Sequence, residues 1–199
     1  MKEEEFYGAE LPRLKQAEQQ LSCLMEKYLT GHGQDPDFNG IQYCCSRIKT
    51  PESMAHKLEQ RGFPVTLESA LTNVQDALGI RVICPFIDDV YQVADWLGHC
   101  PELEVLKIKD YISYPKINGY RGYHLIVKIL EGTGAGVTAE IQIRTIALDF
   151  WASLEHKMKY KKEVRNETLI RSELKRCADE IASVDLSMQT IRDLLNTRN

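Results

Sequence analysis

The sequence of 199 residues has no glycine-rich phosphate loop of either familiar kind. Neither GxxxxGK(S/T) nor GxGxxG occurs, which removes the P-loop and dinucleotide-binding readings. No apolar run approaches the length of a membrane span, and the opening residues, MKEEEFYGAE, contain no signal-type apolar core. The six cysteines, at 23, 44, 45, 84, 100 and 177, form no CxxC pair and no Cys/His metal spacing. They read as reduced, mostly packing thiols of a cytoplasmic protein. Excess positive charge is missing too: 25 Lys and Arg against 29 Asp and Glu leave a net charge of −4. That balance argues against bulk electrostatic binding to DNA or an anionic membrane, while permitting a local basic site. Internal repeats and low-complexity tracts are absent.

What is present fits one domain with helical extensions. Hydrophobic content of 43% and charged content of 27% are ordinary for a globular chain. The richest stretch is KDYISYPKINGYRGYH, residues 109–124. It leaves an apolar-alternating strand at 103–108, turns through Pro115 and Asn118-Gly119, and re-enters an apolar strand at 123–130. Asn-Gly between such runs signals a hairpin turn, since both residues tolerate positive φ. The loop also gathers Lys109, Lys116, Arg121, Asn118, His124 and four tyrosines. Cations interleaved with aromatics suit a nucleotide, with donors for its phosphates and a ring for its base. A solvated hairpin tip is the plainer alternative for any one of these residues.

Elsewhere the periodicities are clear. Leu11, Leu14, Ala17, Leu21, Leu24 and Tyr28 predict an amphipathic helix ending near Gly31, before a loop, GHGQDPDFNG, at 31–40. Thr50 reads as an N-cap with Pro51 at the first helical position, and Arg47, Lys49, Ser53 and Lys57 surround that helix start. A helix N-terminus flanked by cations suits an anion. A short helix is expected at 67–74. Residues 79–84, GIRVIC, predict a strand covered on both faces, with Arg81 buried at a cost unless it meets an anion or ring. Asp88 is expected to cap a helix that carries Val90, Val93, Ala94 and Leu97 and stops at Gly98. From 137 to 144 the alternation is strict, with Thr138, Glu140, Gln142 and Arg144 on one face. That polar face suits either an edge strand or a site. An amphipathic helix follows at 145–161. Finally Leu174, Cys177, Ile181, Val184, Met188, Ile191 and Leu195 keep three-then-four spacing, a heptad seam that packs back on the domain or joins an oligomer.

This pattern mixes hairpins with crossovers, so the fold class is α/β (α+β) with a mixed sheet. Asp76 and Glu140, from different strands or strand ends, can share a magnesium ion, which takes few protein oxygens plus phosphates. At SRIKTPESMAHKL (46–58), GIRVICPFIDDVY (79–91), the 109–124 loop and EIQIRTIALDFWASLEHKMKY (140–160) the chain resembles the RelA/SpoT-type synthetases, specifically the single-domain small alarmone synthetases.

The resemblance implies a nucleotidyltransferase-like mixed β-sheet flanked by helices, with an N-terminal helical extension (1–40), a catalytic domain (41–162) and a C-terminal amphipathic helix for oligomerisation (163–199). It implies transfer of the β,γ-pyrophosphate of ATP to the 3′-hydroxyl of GDP or GTP, giving AMP and ppGpp or pppGpp. Under it, Asp76 and Glu140 are the Mg2+ ligands and Glu140 the general base. Arg47 and Arg81 sandwich adenine, and Lys49, Ser53 and Lys57 contact ATP phosphates. Tyr120 stacks on guanine with Asn118 at the base edge, Lys116 and His124 bind acceptor phosphates, Gln142 positions the acceptor, and Arg121 supports the site's charge. It further implies a cytoplasmic homotetramer whose central cleft binds (p)ppGpp as an activator. Two departures stand out: Gly122-Tyr123 replaces the usual Ser-Leu after NGYR, and Asp76-Ala77-Leu78-Gly79 replaces Asp-Ile-Ala-Gly. No His-Asp pair of the hydrolase type occurs, so alarmone hydrolysis is not expected, nor is ribosome-coupled control. A competing reading is a nucleotide- or single-stranded-RNA-binding regulator without turnover, against which the retained pair Asp76 and Glu140 argues. A transferase attacking the α-phosphate lacks its usual Gly-Ser motif.

Overall fold

The computed structural model describes residues 2–32, 40–159 and 166–196. Among them, five strands build one mixed sheet: β1 (Tyr43–Ile48), β2 (Leu78–Cys84), β3 (Leu103–Asp110), β4 (Tyr123–Ile129) and β5 (Thr138–Thr145). Their order is β1-β2-β5-β4-β3, with β2 and β5 parallel and the other neighbours antiparallel. The helices are α1 (Glu3–Tyr7), α2 (Glu10–His32), α3 (Pro51–Gln60), α4 (Leu67–Thr72), α5 (Ile87–Gly98), α6 (Ile146–Lys159) and α7 (Glu167–Asn196). The expected α/β class with a mixed sheet is what forms. Most of the expected loop at 31–40, the boundary at 162–163 and the last residues of the helix expected to 161 fall outside the described residues.

The period of two along each strand divides the sheet into an apolar and a polar face. Ile80, Val82, Leu125, Val127, Ala139, Ile141 and Ile143 are buried in the core. The stripe of α2 (Leu14, Ala17, Leu21, Met25) and that of α5 (Val90, Val93, Leu97) join the same core. The polar face follows from register. Cys45 pairs with Arg81, Arg81 with Gln142, Gln142 with His124, and His124 with Lys109, one row across five strands. β5 is the middle strand, so an edge position does not explain its polar residues.

Several expectations change. β1 and α1 carry no periodic apolar stripe and escape a sequence reading. The loop 111–122 does join antiparallel β3 and β4, but Asn118-Gly119 is not a two-residue hairpin apex. It closes a small inner turn, in which Gly119 N–H donates to the Lys116 carbonyl and Lys116 N–H to the Tyr120 carbonyl. Gly119 has φ +90°, and a Cβ there would lie 2.7 Å from the Cβ of Ala178 on α7.

The helix α5 is capped by Asp89, which accepts from Phe86 N–H at 3.1 Å, and not by Asp88. Asp88 instead receives the Arg192 guanidinium from α7, and its own N–H donates to Gln189 Oε1. Asp89 is buried and its Oδ1 has no hydrogen-bond partner among the described residues. Burial pushes its carboxyl up to about 6, against the opposing bond from Phe86. A carboxyl raised in the folded state stabilises the fold below its unfolded value near 3.8 and loses that contribution as pH rises through about 6. Asn can accept the same cap bond without the buried charge. Asp89→Asn is therefore expected to raise the unfolding free energy at neutral pH by about 2 kcal/mol, with no gain under acid conditions. Denaturation at several pH values checks this, and a destabilised variant at neutral pH would exclude it.

The seam of α7 is split. Leu174, Cys177 and Ile181 pack around Trp151, whose indole N–H donates to the Leu174 carbonyl at 2.8 Å. Further along, polar contacts anchor the helix: Thr145 Oγ1 donates to buried Asp185 at 2.6 Å, and Arg192 lies 4.5 Å over the Phe86 ring. Val184, Met188, Ile191 and Leu195 are each more than half exposed. The similar stripe of α2, by contrast, is fully used inside its own chain.

Candidate active site

The polar face of the sheet holds two groups of side chains joined by Glu140. The first surrounds a cavity of about 140 Å³ lined by Arg47, Lys49, Asp76, Arg81, Glu140 and Gln142, together with Gly79. Thr50 caps α3 as expected, accepting from Ser53 N–H, and Pro51 occupies the first helical position. This sets Lys49 just before the helix and Lys57 on it, and both ammonium groups reach Asp76 Oδ2. The Tyr7 hydroxyl donates to the Lys49 carbonyl at 2.6 Å, so the short α1 supports the strand-to-helix connection. Burial raises the Asp76 carboxyl, but the two lysines outweigh it and hold the group below its ordinary range. Burial lowers the Lys49 ammonium despite Asp76. Asp76 Oδ1 is buried without a hydrogen-bond partner among the described residues.

Arg81 meets the anion its position called for. Its guanidinium lies 3.5 Å from Asp149 on α6, which also receives Arg144 Nη1 at 2.9 Å and the Tyr43 hydroxyl at 3.1 Å.

The second group centres on Glu140 and the 111–122 loop. Glu140 Oε1 faces His124 Nδ1 at 3.0 Å, and Oε2 accepts from Gln142 at 2.8 Å, with Lys109 at 3.9 Å. Burial pulls the Glu140 carboxyl upward, but these donors outweigh it and hold it at about 2. Burial pushes the His124 imidazole down, so it is neutral near pH 7. The Tyr120 hydroxyl stands 2.6 Å from His124 Nε2 and accepts from Arg144 Nη2 at 2.9 Å. Tyr111 packs edge-on against both Tyr120 and His124, and Lys116 Nζ sits 4.5 Å from the Tyr111 ring and 4.9 Å from that of Tyr120. A larger cavity, about 1240 Å³, is lined by Lys116, Asn118, Tyr120, Glu155, Leu174 and Lys175 among others.

The structure thus brings Arg47, Lys49, Asp76, Arg81, Glu140 and Gln142 to one cavity, and Lys116, Asn118 and Tyr120 to another. Ser53 lies exposed at the start of α3. One residue goes elsewhere. Arg121 turns away to α7, donating to the Ala178 carbonyl at 3.3 Å and pairing with Asp179 at 2.9 Å. It therefore ties the loop to the helix instead of adding charge to the site. His124 is 6% exposed, with its two ring nitrogens facing the Tyr120 hydroxyl and Glu140. Sequence reading missed the role of Arg144, whose place in the β5 alternation was its one signal, and of Asp149 and Tyr43, which only contact gives a meaning.

Among the described residues no three His, Cys, Asp or Glu side chains converge on a metal position. Two carboxylates lining one cavity, one with an unsatisfied buried oxygen, fit Mg2+, which completes its shell with water and phosphate oxygens.

Known proteins share this sequence pattern and this fold. Residues 46–165 match the family model described as a region found in RelA / SpoT proteins. The chain is 40% identical to GTP pyrophosphokinase YwaC of Bacillus subtilis (strain 168), over 86% of this chain and 81% of that protein. It superposes on the small alarmone synthetase 1 from Bacillus subtilis bound to its product pppGpp with a TM-score of 0.83 and 30% identity, covering 92% of this chain and 95% of that one. The same synthetase bound to AMPCPP gives a TM-score of 0.75 at 29% identity, covering 94% and 96%. With its sheet matched by solved relatives and residues 46–165 by the family model, the chain belongs to the RelA/SpoT family.

Proposed function

We propose that this protein is a GTP pyrophosphokinase that transfers the β,γ-pyrophosphate of ATP to the 3′-hydroxyl of GDP or GTP. The observation that carries the reading is the placement of Glu140. It lines the cation-rich cavity and is linked through His124 to Tyr120, which lines the larger one. A carboxylate so placed lies between a donor and an acceptor nucleotide. That solved relatives carry AMPCPP and pppGpp supports the same pair of ligands.

In this reading Lys49, Lys57 and Ser53 take the ATP phosphates, and Arg47 and Arg81 hold the adenine. The Tyr120 ring and Asn118 read the guanine, and Lys116 reaches the acceptor phosphates. The acceptor 3′-oxygen attacks the β-phosphorus of ATP, and its proton passes to Glu140, whose carboxylate is already ionised at neutral pH. The bond between the β-phosphorus and the α,β-bridging oxygen breaks, and that oxygen leaves with AMP. Mg2+ held by Asp76 and Glu140 would neutralise phosphate charge as it develops. Incubation with ATP, Mg2+ and GDP or GTP should give AMP with ppGpp or pppGpp. ADP as the product, or none at all, would reject the reading.

The finer picture is a homotetramer in the cytoplasm, supported by the exposed Val184, Met188, Ile191 and Leu195 of α7. Among the described residues no helix is long and apolar enough to cross a membrane. Met188→Asp with Ile191→Asp is expected to leave a folded monomer where the wild type is an oligomer, each buried apolar side chain contributing about 1.5–3 kcal/mol. Light scattering decides it, and a monomeric wild type would refute the assembly and any (p)ppGpp site between subunits.

A further inference from the structure

Five side chains on the site face close a hydrogen-bonded ring, and its donors run in one direction. Arg144 has no acceptor atom and ionised Glu140 has no donor, so two arms must lead from the first to the second. In the short arm Arg144 Nη2 donates to Gln142 Oε1 at 2.8 Å, and Gln142 Nε2 donates to Glu140 Oε2 at 2.8 Å. In the long arm Arg144 donates to the Tyr120 hydroxyl from Nη2 at 2.9 Å and from Nε at 3.2 Å. That hydroxyl lies 2.6 Å from His124 Nε2, and His124 Nδ1 lies 3.0 Å from Glu140 Oε1. A phenol has one proton. With Arg144 on its acceptor side, the proton goes to His124 Nε2, which leaves the imidazole's own proton on Nδ1, facing Glu140. A hydrogen-bond chain of this kind polarises each member in the same sense.

Arg144 is itself well fixed. It is 6% exposed, and its third contact is Asp149, held in turn by Arg81 and Tyr43. Its guanidinium carbon also lies 5.1 Å from the centre of the Tyr120 ring. The room for this arrangement comes from Gly122. A Cβ at that position would stand 3.0 Å from the Tyr120 hydroxyl and 3.4 Å from Arg144 Cγ, pressing on both members of the contact.

We propose that Arg144 is a positioning residue for the acceptor half of the site, fixing the Tyr120 hydroxyl, the His124 tautomer and the Gln142 amide so that both partners of Glu140 present donors to it. The role rests on the pyrophosphate-transfer reading and deepens it, because Arg144 ties the ring that reads the acceptor base to the carboxylate that takes the acceptor's proton.

Two measurements test it together. Histidine nitrogen-15 NMR of the wild-type protein at neutral pH should show His124 as a single neutral tautomer protonated on Nδ1. Arg144→Met should mix the tautomers, lower kcat by about 10- to 100-fold, the usual effect of losing a partner that orients a site group, and raise KM for the acceptor while leaving KM for ATP unchanged. Tyr120→Phe cuts the long arm by removing one oxygen and keeps the Arg144–Asp149 pair, so it gives the same tautomer change even where Arg144→Met does not fold. His124 protonated on Nε2 in the wild type overturns the assignment. So do acceptor kinetics that stay unchanged in both folded variants, whatever their tautomer. Absence of pyrophosphate transfer by the wild type would instead overturn the functional reading, while the His124 signal continues to report on the ring.

Discussion

Glu140→Gln is expected to lower kcat by about 10²–10⁴-fold, the range for loss of a positioned general base. The substitution keeps shape and burial, so packing changes little. It removes the charge, and it places an amide where the carboxylate accepted from both His124 and Gln142. One amide oxygen can still accept from Gln142, but the amide N–H then meets the His124 Nδ1–H, donor against donor. Part of the loss is therefore a disturbed ring, which a simple loss of base does not predict. Its signature is an altered His124 tautomer in a variant whose thermal unfolding is close to that of wild type. Steady-state rates at saturating ATP and acceptor make the measurement. A folded Glu140→Gln with near-normal turnover would remove Glu140 from the chemistry and leave the network as architecture.

The two faces of the sheet are legible in the amino-acid sequence, and the hydrogen-bonded ring is not. Strict alternation in β5 places Glu140, Gln142 and Arg144 together, because period two needs no knowledge of neighbours. What those residues touch depends on strand order, and the parallel pairing of β2 with β5 is a long-range fact. Tyr120 and Arg144 are distant in sequence and meet because the 111–122 loop folds back over the sheet. Nor does the stacking role implied for the Tyr120 ring reveal that its hydroxyl is the joint of the long arm. β1 escapes because Tyr43, Cys45 and Arg47 are exposed and no apolar stripe marks an edge strand whose outer face belongs to a site. The heptad reading of α7 detects a true apolar stripe but not its division. Its first turns pack on Trp151, and beyond Ile181 the contacts are the buried Asp185 and the Arg192 fork, polar anchors that a hydrophobic template does not score.

Asp76→Asn should lower turnover sharply and destabilise the fold as well, and a second substitution separates the two effects. In the structure Asp76 Oδ2 receives both the Lys49 and Lys57 ammonium groups, with Lys49 12% and Asp76 14% exposed. Removing the negative charge leaves two neighbouring cations, one of them mostly desolvated, at a cost of about 3 kcal/mol, the low end for a buried pair that loses one partner. The catalytic loss has a different origin. In the proposed reaction Asp76 would supply a carboxylate oxygen to hold Mg2+ against the phosphates, and removal of one such preorganised group lowers kcat by about 10²–10³-fold. If the stability loss comes from the stranded ammonium, Lys49→Met combined with Asp76→Asn should be more stable than Asp76→Asn alone. Its activity should be no higher, since the carboxylate is still absent and a lysine proposed to bind ATP phosphate is lost as well. Denaturant unfolding and product formation on the two single variants and the double variant form a cycle in which the stability terms are coupled and the loss of turnover is not relieved. Near-normal turnover in a folded Asp76→Asn would show that the Asp76 carboxylate is not needed for the chemistry and serves the lysines alone.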